Sequence, residues 1–586
     1  MNIFHQRGLG WMCFGLVAIL ASLLCQPLGA QVAAPSDGQI GVESRPSGEL
    51  KTVAVVAVAH YEKLISDITL LGSLIGREEA GQMVEGGFAF FTQGKGPAAL
   101  DKKQPWGVIV QTDGAAFMPV GCLPVAKADD VLEVAKGYGV QVNDAEDGVK
   151  ELVLPNQQSV FLKQQAGWTF ISLSPDALSR APEDPQAILA ELVTEYDIAA
   201  RITMKDVPEM YRQFAVQAMQ AGMQQQIEKR ADESDEQYEL RQQVTEAQMA
   251  QMVRTFNETD SITVGWAVDA AQQRTYLDYT QSFVPGSNMA QQIAAYGQPR
   301  TNFAGFYQPE AAATVSFATK ADPELIQQDI EYFESTMRTL RAGFNNGIDS
   351  SDAKDPEALK AAFSDWFDAL ESTIRAGQID GGAALDVSSD SLTFVAGALV
   401  KDTAKIESGL KKLEAAAAAK YPEFPGIRWN AATHAGVRFH TLSVPVAEEH
   451  EAPRKLLGSE VSVAVGIGPE AVYVAIGQDN LSAVKQALDA SAANPDKAVP
   501  PFELAVSLGP MMEMAAAQAE EGDQKAIARR VAETLRNESQ DRDHIRAVGR
   551  VVPDGMRYRI EAEEGVLRAI GAAVTEAQRQ ALQASQ

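Results

Sequence analysis

Cysteine is nearly missing from this chain: three in 586 residues. Cys13 and Cys25 fall within the first thirty positions, which leaves Cys122 alone in the remainder. One thiol closes no intrachain disulfide, so packing must hold the fold. Cys122 stands in the apolar run Phe117–Val125, which reads as a buried strand position rather than a reactive thiol. Histidine is scarce as well, with six, and 50 Lys+Arg face 78 Asp+Glu for a formal net charge of −28. That balance opposes phosphate backbones and anionic lipid surfaces, so nucleic acid is not expected as a partner. No G-x-S-x-G, H-E-x-x-H or C-x-x-C occurs.

What is present begins with an amino-terminal leader pattern. Arg7 precedes the apolar run Trp11–Leu24, which is followed by Pro27-Leu28-Gly29-Ala30. Fourteen apolar residues are too few to span a bilayer, which takes about 20. The pattern reads as a signal peptide cleaved near Ala30, and the protein as exported, periplasmic or extracellular. Leu24 before Cys25 is too bulky for a lipidation site. No later run is long enough to cross a membrane, so no stable insertion is expected once the leader is gone.

Hydrophobic content of 46% with 22% charge supports real cores, and the length suggests two to four domains. The expected division is signal peptide 1–30, flexible lead-in 31–51, unit one 52–296, linker 297–311, unit two 312–574 and a tail 575–586. The fold class expected is α+β: two tandem, duplicated units, each an antiparallel sheet covered by amphipathic helices. The grounds are order and spacing. Thr52–Ala59 then Tyr61–Ile75 matches Ala313–Ala318 then Pro323–Leu340. Trp106–Gln111 with Ala115–Val120 matches Gly381–Val387 with Ser391–Leu399, and helices Ala128–Gly137 and Thr403–Ala417 follow. Three strands come next in each half: Val149–Leu154, Ser159–Lys163 and Trp168–Leu173, against Gly436–Val444, Val461–Gly466 and Ala471–Ile476. Tyr196–Met204 and Pro501–Gly509 each lead into a helix interrupted by acids, at Ala231–Glu236 and Glu520–Asp523. In the first break Ser234 and Gln237 have capping-box spacing. Two strands close each half, Ser261–Val268 with Thr275–Phe283 and Ile545–Val552 with Met556–Ala562. Each half is expected to bury its own core, with one strand order common to both.

Candidate chemistry is thin. His434 and His440 read as one strand face, with His450 near Glu448, Glu449 and Glu451, but six strand residues separate the first two by about 20 Å. A shared zinc ion would need a bend between them. His60 closes a strand without a neighbouring motif. Ser482 and Lys485 have the S-x-x-K spacing of penicillin-binding proteins and serine β-lactamases, yet S-D-N and K-T-G are missing. The Gly94-Lys95-Gly96 segment lacks the earlier glycine of a phosphate loop, and Asp129-Asp130 suits a helix start. Met219, Met223, Met249, Met252, Met511, Met512 and Met514 could bind Cu(I), but helical spacing makes the first of them a packing stripe. No catalytic, cofactor-binding or metal residue is therefore named, and no cofactor is expected.

The reading is an exported, non-catalytic binding or scaffold protein with an unknown protein or small-molecule ligand. An exported hydrolase with dispersed carboxylates and a carrier of an apolar ligand are the alternatives. A testable consequence is leader removal. Amino-terminal sequencing of mature protein should start at Gln31 or within a few residues, and intact Met1 in a membrane fraction would contradict it.

Overall fold

The computed structural model describes residues 49–94, 97–229, 235–321, 327–349, 355–446, 448, 451–520, 522–539 and 542–584. The leader, its cleavage point, the lead-in up to residue 48, Ser234, Glu449 and His450 lie outside them.

The chain is mixed helix and strand, with a large antiparallel sheet. The first ten strands are β1 (Lys51–Val58), β2 (Trp106–Thr112), β3 (Phe117–Leu123), β4 (Gln141–Asp144), β5 (Lys150–Val153), β6 (Ser159–Gln165), β7 (Trp168–Ser172), β8 (Ile198–Thr203), β9 (Thr259–Asp269) and β10 (Arg274–Phe283). Then come β11 (Arg300–Thr301), β12 (Ala313–Lys320), β13 (Gln378–Val387), β14 (Leu392–Leu399), β15 (Arg428–His434) and β16 (Val437–Pro445). The last six are β17 (Glu460–Ile467), β18 (Ala471–Gly477), β19 (Lys497–Ala498), β20 (Phe502–Ser507), β21 (His544–Val552) and β22 (Gly555–Glu563).

In the first half the strands lie side by side as β4-β5-β6-β7-β3-β2-β1-β8-β9-β10. In the second they lie as β15-β16-β17-β18-β14-β13-β12-β20-β21-β22. Position for position these are one order. Among the described residues, β11 and β19 stand apart as a two-stranded pair.

Local chemistry explains the hairpins. Asp113 Oδ1 accepts the N–H groups of Ala115 and Ala116 in the β2–β3 turn, where Gly114 takes φ of 92°. In the β13–β14 turn Ser388 Oγ accepts the N–H groups of Asp390 and Ser391. Between β15 and β16 the two turn residues Ala435 and Gly436 have φ of 47° and 79°, the left-handed pair a tight hairpin demands.

By contacts the chain divides into two compact units. One takes the described residues up to Arg212 with Ser261–Tyr279; the other takes Gln213–Asp260 with Thr280 onward. This division differs from the repeat of strand order. The helix Asp235–Glu258 packs in the second unit, against the helix Gln327–Asp349. Strand β10 crosses the boundary, and its final residues pair with β22, with Phe283 N–H donating to Asp554 O.

Each unit has its own buried core. In the first, Val55, Ala57, Ile109, Val120, Cys122 and Phe170 pack under Leu178, Leu189 and Leu192. These leucines belong to the helices Pro175–Ser179 and Pro185–Val193. In the second, Ala384, Val395, Phe439, Ala464 and Ala475 pack with Phe303, Phe306 and the Val484 and Leu488 side chains of the helix Asn480–Ala493. The Gly297–Glu310 loop is thus anchored by Phe306, which has no exposed surface. The carboxyl-terminal helix Glu564–Ala584 runs through most of the expected tail. Phe306→Ala should cost roughly 3–5 kcal/mol in denaturant unfolding, because it leaves a cavity inside the second core. A loss below about 1 kcal/mol would show that the loop is not anchored there.

Candidate binding face

Antiparallel pairing puts directly opposed residues on one face of a sheet. In the first unit this lines up three rows across β2, β1, β8 and β9. They are Trp106, Val58, Ile198, Trp266; Val108, Val56, Ala200, Val264; and Val110, Ala54, Ile202, Ile262. In the second unit the equivalent rows cross β13, β12, β20, β21 and β22. They are Gly381, Phe317, Phe502, Gly549, Tyr558; Ala383, Val315, Leu504, Ala547, Ile560; and Leu385, Ala313, Val506, Ile545, Ala562. Not one of these positions carries a charge.

This is the face turned away from the cores just described. Ile202 and Val264 are 45% and 41% exposed, and Tyr558 and Ile560 are 47% and 54% exposed. An ordinary half-covered sheet alternates apolar inside with polar outside. Here the side opposite the apolar rows of β20–β22 carries Glu503, Arg546, Arg559 and Glu561 instead. Val58, Gly381 and Gly549 of the same rows are buried, so the face is exposed in part, and exposed apolar positions of this kind are candidate contact points.

The middle row of the second unit continues from Ala383 through Ala396, Val474 and Val465 to His440 on β16. His440 is 2% exposed; its Nδ1 accepts the Asn430 N–H at 3.0 Å and its ring packs 4.6 Å from that of Trp429. The proton therefore sits on Nε2, which has no partner. Burial holds the His440 pKa below its usual value, against the attraction of Glu407 and with Arg438 and Lys411 adding to the fall. His434 lies across the tight turn on β15 and meets Asp489 Oδ1 at 2.7 Å through Nε2. The two histidines expected on one strand are thus on two, because the chain reverses at Ala435-Gly436. Among the described residues no three His, Cys, Asp or Glu side chains converge in a metal-holding group.

The helix Thr403–Lys420 carries a shallow groove of about 530 Å³ lined by Glu407, Ser408, Lys411 and Lys412. Its charges are already engaged: Glu407 with Lys411 and Arg438, and Lys412 with Asp365. That groove has a weaker claim to a ligand than the uncharged face.

Other residues marked by the sequence have structural duties. His60 caps the helix Tyr61–Leu74 by accepting the Lys63 N–H. Ser482 is exposed and pairs with Gln486 rather than Lys485. Asp129 and Asp130 sit in the first turn of Ala128–Gly137. Met512 packs beside Val531, Leu535 and Ala569. Burial pushes the Cys122 thiol up to about 12, so it is no nucleophile at neutral pH.

Two polar clusters were not foreseen. Ser507 Oγ donates to the Asp543 carboxylate at 2.9 Å, while His544 has Nδ1 3.2 Å from Glu563 Oε2 and Nε2 3.2 Å from Pro309 O. The hydroxyl proton faces the carboxylate and not the imidazole, so this is no serine–histidine pair. In the first unit Lys63 bridges Asp67 and Asp197, and Asp197 Oδ2 also accepts the Val268 N–H at 2.6 Å. Burial raises the Asp67 carboxyl to about 6, with Lys63 pulling down and Asp197 pushing up.

Compared with known proteins, the chain matches no family model, no curated protein and no solved structure.

The Asp67 cluster makes a pH prediction. Its carboxyl keeps its proton up to about pH 6 in the fold but only to about 3.8 when unfolded. Its stabilising contribution is complete below the unfolded value and is lost as pH rises to the folded one. Between pH 4 and 7 the wild type should lose up to about 3 kcal/mol relative to Asp67→Asn, measured by denaturant unfolding. A difference between the two that is independent of pH would contradict the assignment.

Proposed function

We propose that this is an exported, non-catalytic binding protein made of two related α+β units, each presenting an uncharged sheet face to its ligand. The single observation that carries the reading is the uncharged apolar rows at matching positions in both strand orders, with Ile202, Val264, Tyr558 and Ile560 among their exposed members. Val56 answers to Val315, Ala200 to Leu504, Val264 to Ala547 and Ile262 to Ile545. A chance likeness of two α+β folds would not keep every one of these positions free of charge while leaving several exposed. Duplication of one ten-stranded unit supports the pattern most simply, and the leader pattern from Arg7 to Ala30 supports export.

The hydrolase alternative needs a carboxyl pair facing substrate across a cleft. Asp67 and Asp197 are instead buried against Lys63 and backbone, and Asp543 is held by Ser507. Recognition without chemistry fits rows that carry no charged side chain.

Titration of the full chain with Nile red, a neutral dye that brightens in apolar surroundings, tests the reading. Saturable, blue-shifted emission is expected, lowered by Val264→Lys, lowered by Ile560→Lys and abolished by the two together. Both positions are exposed, so circular dichroism and melting should stay near those of the wild type. Full emission from the well-folded double variant would refute the proposal.

A further inference from the structure

We infer that His544 is a pH-operated latch: as an imidazolium it ties the segment Tyr307–Ala312, through Pro309, to β21 and β22, and it releases that segment on losing its proton. The latch is independent of what the sheet faces bind.

His544 opens β21 and is 8% exposed. Each of its ring nitrogens faces an acceptor. Nδ1 lies 3.2 Å from Glu563 Oε2 at the end of β22, and Nε2 lies 3.2 Å from Pro309 O. A neutral imidazole has one N–H and one lone pair, whereas the protonated ring has two N–H groups. Only the protonated ring can serve both oxygens. Glu563 is itself fixed, since Oε2 also accepts the His544 backbone N–H at 3.0 Å and Oε1 lies 3.5 Å from Arg546 Nη2.

The other charged and titratable groups around the ring leave this balance in place. Asp543 Oδ1 stands 3.5 Å from Nδ1, and Arg546 brings a positive charge two residues further along. Ser507 of β20 lies opposite His544 in register, and its hydroxyl donates to Asp543. The helix Glu564–Ala584 begins with Glu564, which pairs with Arg542 and Arg568. The helix Asn288–Tyr296, also packed on β21, has no charged side chain. On the latched segment Tyr307 stands near Glu503 and Arg546, and Glu310 is exposed. Hydrogen bonding to Glu563 lifts the His544 pKa above its usual 6.5; burial and Arg546 oppose this, and the Glu563 and Asp543 charges assist it. Burial pushes the Glu563 carboxyl up, but its bonds to His544 and the Arg546 charge hold it below the usual carboxylate range.

When the ring loses one proton, the other stays on Nδ1, because a lone pair turned on Glu563 would meet a full negative charge. The lone pair on Nε2 then opposes Pro309 O, and that contact is lost. Upstream, Phe306 remains sealed in the core; downstream, Ala312 O still accepts the Ser507 N–H. Release is confined to the run between them, where Pro309 and Glu310 are exposed and freed backbone meets water. The raised pKa sets the sign. Stabilisation by the latch is complete below the unfolded value of 6.5 and is lost as pH rises through the folded one.

The test is hydrogen–deuterium exchange of the full chain, read on peptides covering 307–312 and corrected for the intrinsic rate at each pH. Between about pH 6 and about pH 9, protection there should fall about tenfold in the wild type, as for a pKa difference of about one unit. In His544→Gln it should be low and independent of pH, while peptides of β1 and β8 match the wild type. Should that variant not fold, Glu563→Gln takes its place, and the loss of protection should move to lower pH by about one unit. Protection that does not change with pH in the wild type, or that changes alike in His544→Gln, would overturn the latch. An unmoved midpoint in Glu563→Gln would overturn it as well.

Discussion

Hydrogen-bond register in the central strands is the constraint on which the rest depends. Phe317 opposes Phe502, and Val58 opposes Ile198. Once those pairs are set, period-two alternation assigns every neighbour to one face or the other. A slip of one residue in β20 would exchange Phe502, Leu504 and Val506 for Glu503, Ala505 and Ser507. The face would then carry a carboxylate, and Ala505, now buried in full, would leave its packed position.

The two faces of the central strands differ in composition: opposite the apolar rows, β12 carries Thr314 and Ser316, and β20 carries Glu503, Ala505 and Ser507. One is covered: Ile109, Ala57 and Ala199 lie under short helices, and Ala384 and Val395 under Phe306 and Val484. The other is apolar along the rows and exposed in part, at Ile202, Val264, Tyr558 and Ile560, while Val58 within it is buried. Charge is then displaced to the remaining surfaces, and this suits a chain of net charge −28 that keeps single-sign repulsion between molecules. Buried polar clusters stay local. Lys63 with Asp67 and Asp197 ties the helix Tyr61–Leu74 to the start of β8, and Asp543 fixes Ser507 to the strand that follows.

Much of this was legible in the residues, since strands β1, β2, β8, β12, β20 and β22 stand within two or three residues of their apolar runs. Strand β4 escaped notice because Gln141-Val142-Asn143-Asp144 is short and polar. The helix Ala80–Phe91 was hidden by Gly81, Gly86 and Gly87, poor helix formers. The helix Pro356–Arg375 did carry a signal, Asp355 as cap with Pro356 in the first turn. The continuous apolar face was not readable, because it depends on which strands lie side by side. One hint existed: Thr52–Ala59 holds apolar residues at both parities, which marks a strand apolar on two sides. The histidine pair failed as a one-strand reading because a two-residue turn at Ala435-Gly436 is invisible to spacing alone.

The most direct test of the repeated open face is photolabelling of the full chain with a neutral, apolar diazirine, followed by peptide mapping. The account predicts label in both halves, on β8–β9 at Ile202 and Val264 and on β20–β22 at Leu504 and Ile560. Label confined to the helix Thr403–Lys420, or spread without preference for these strands, would contradict it.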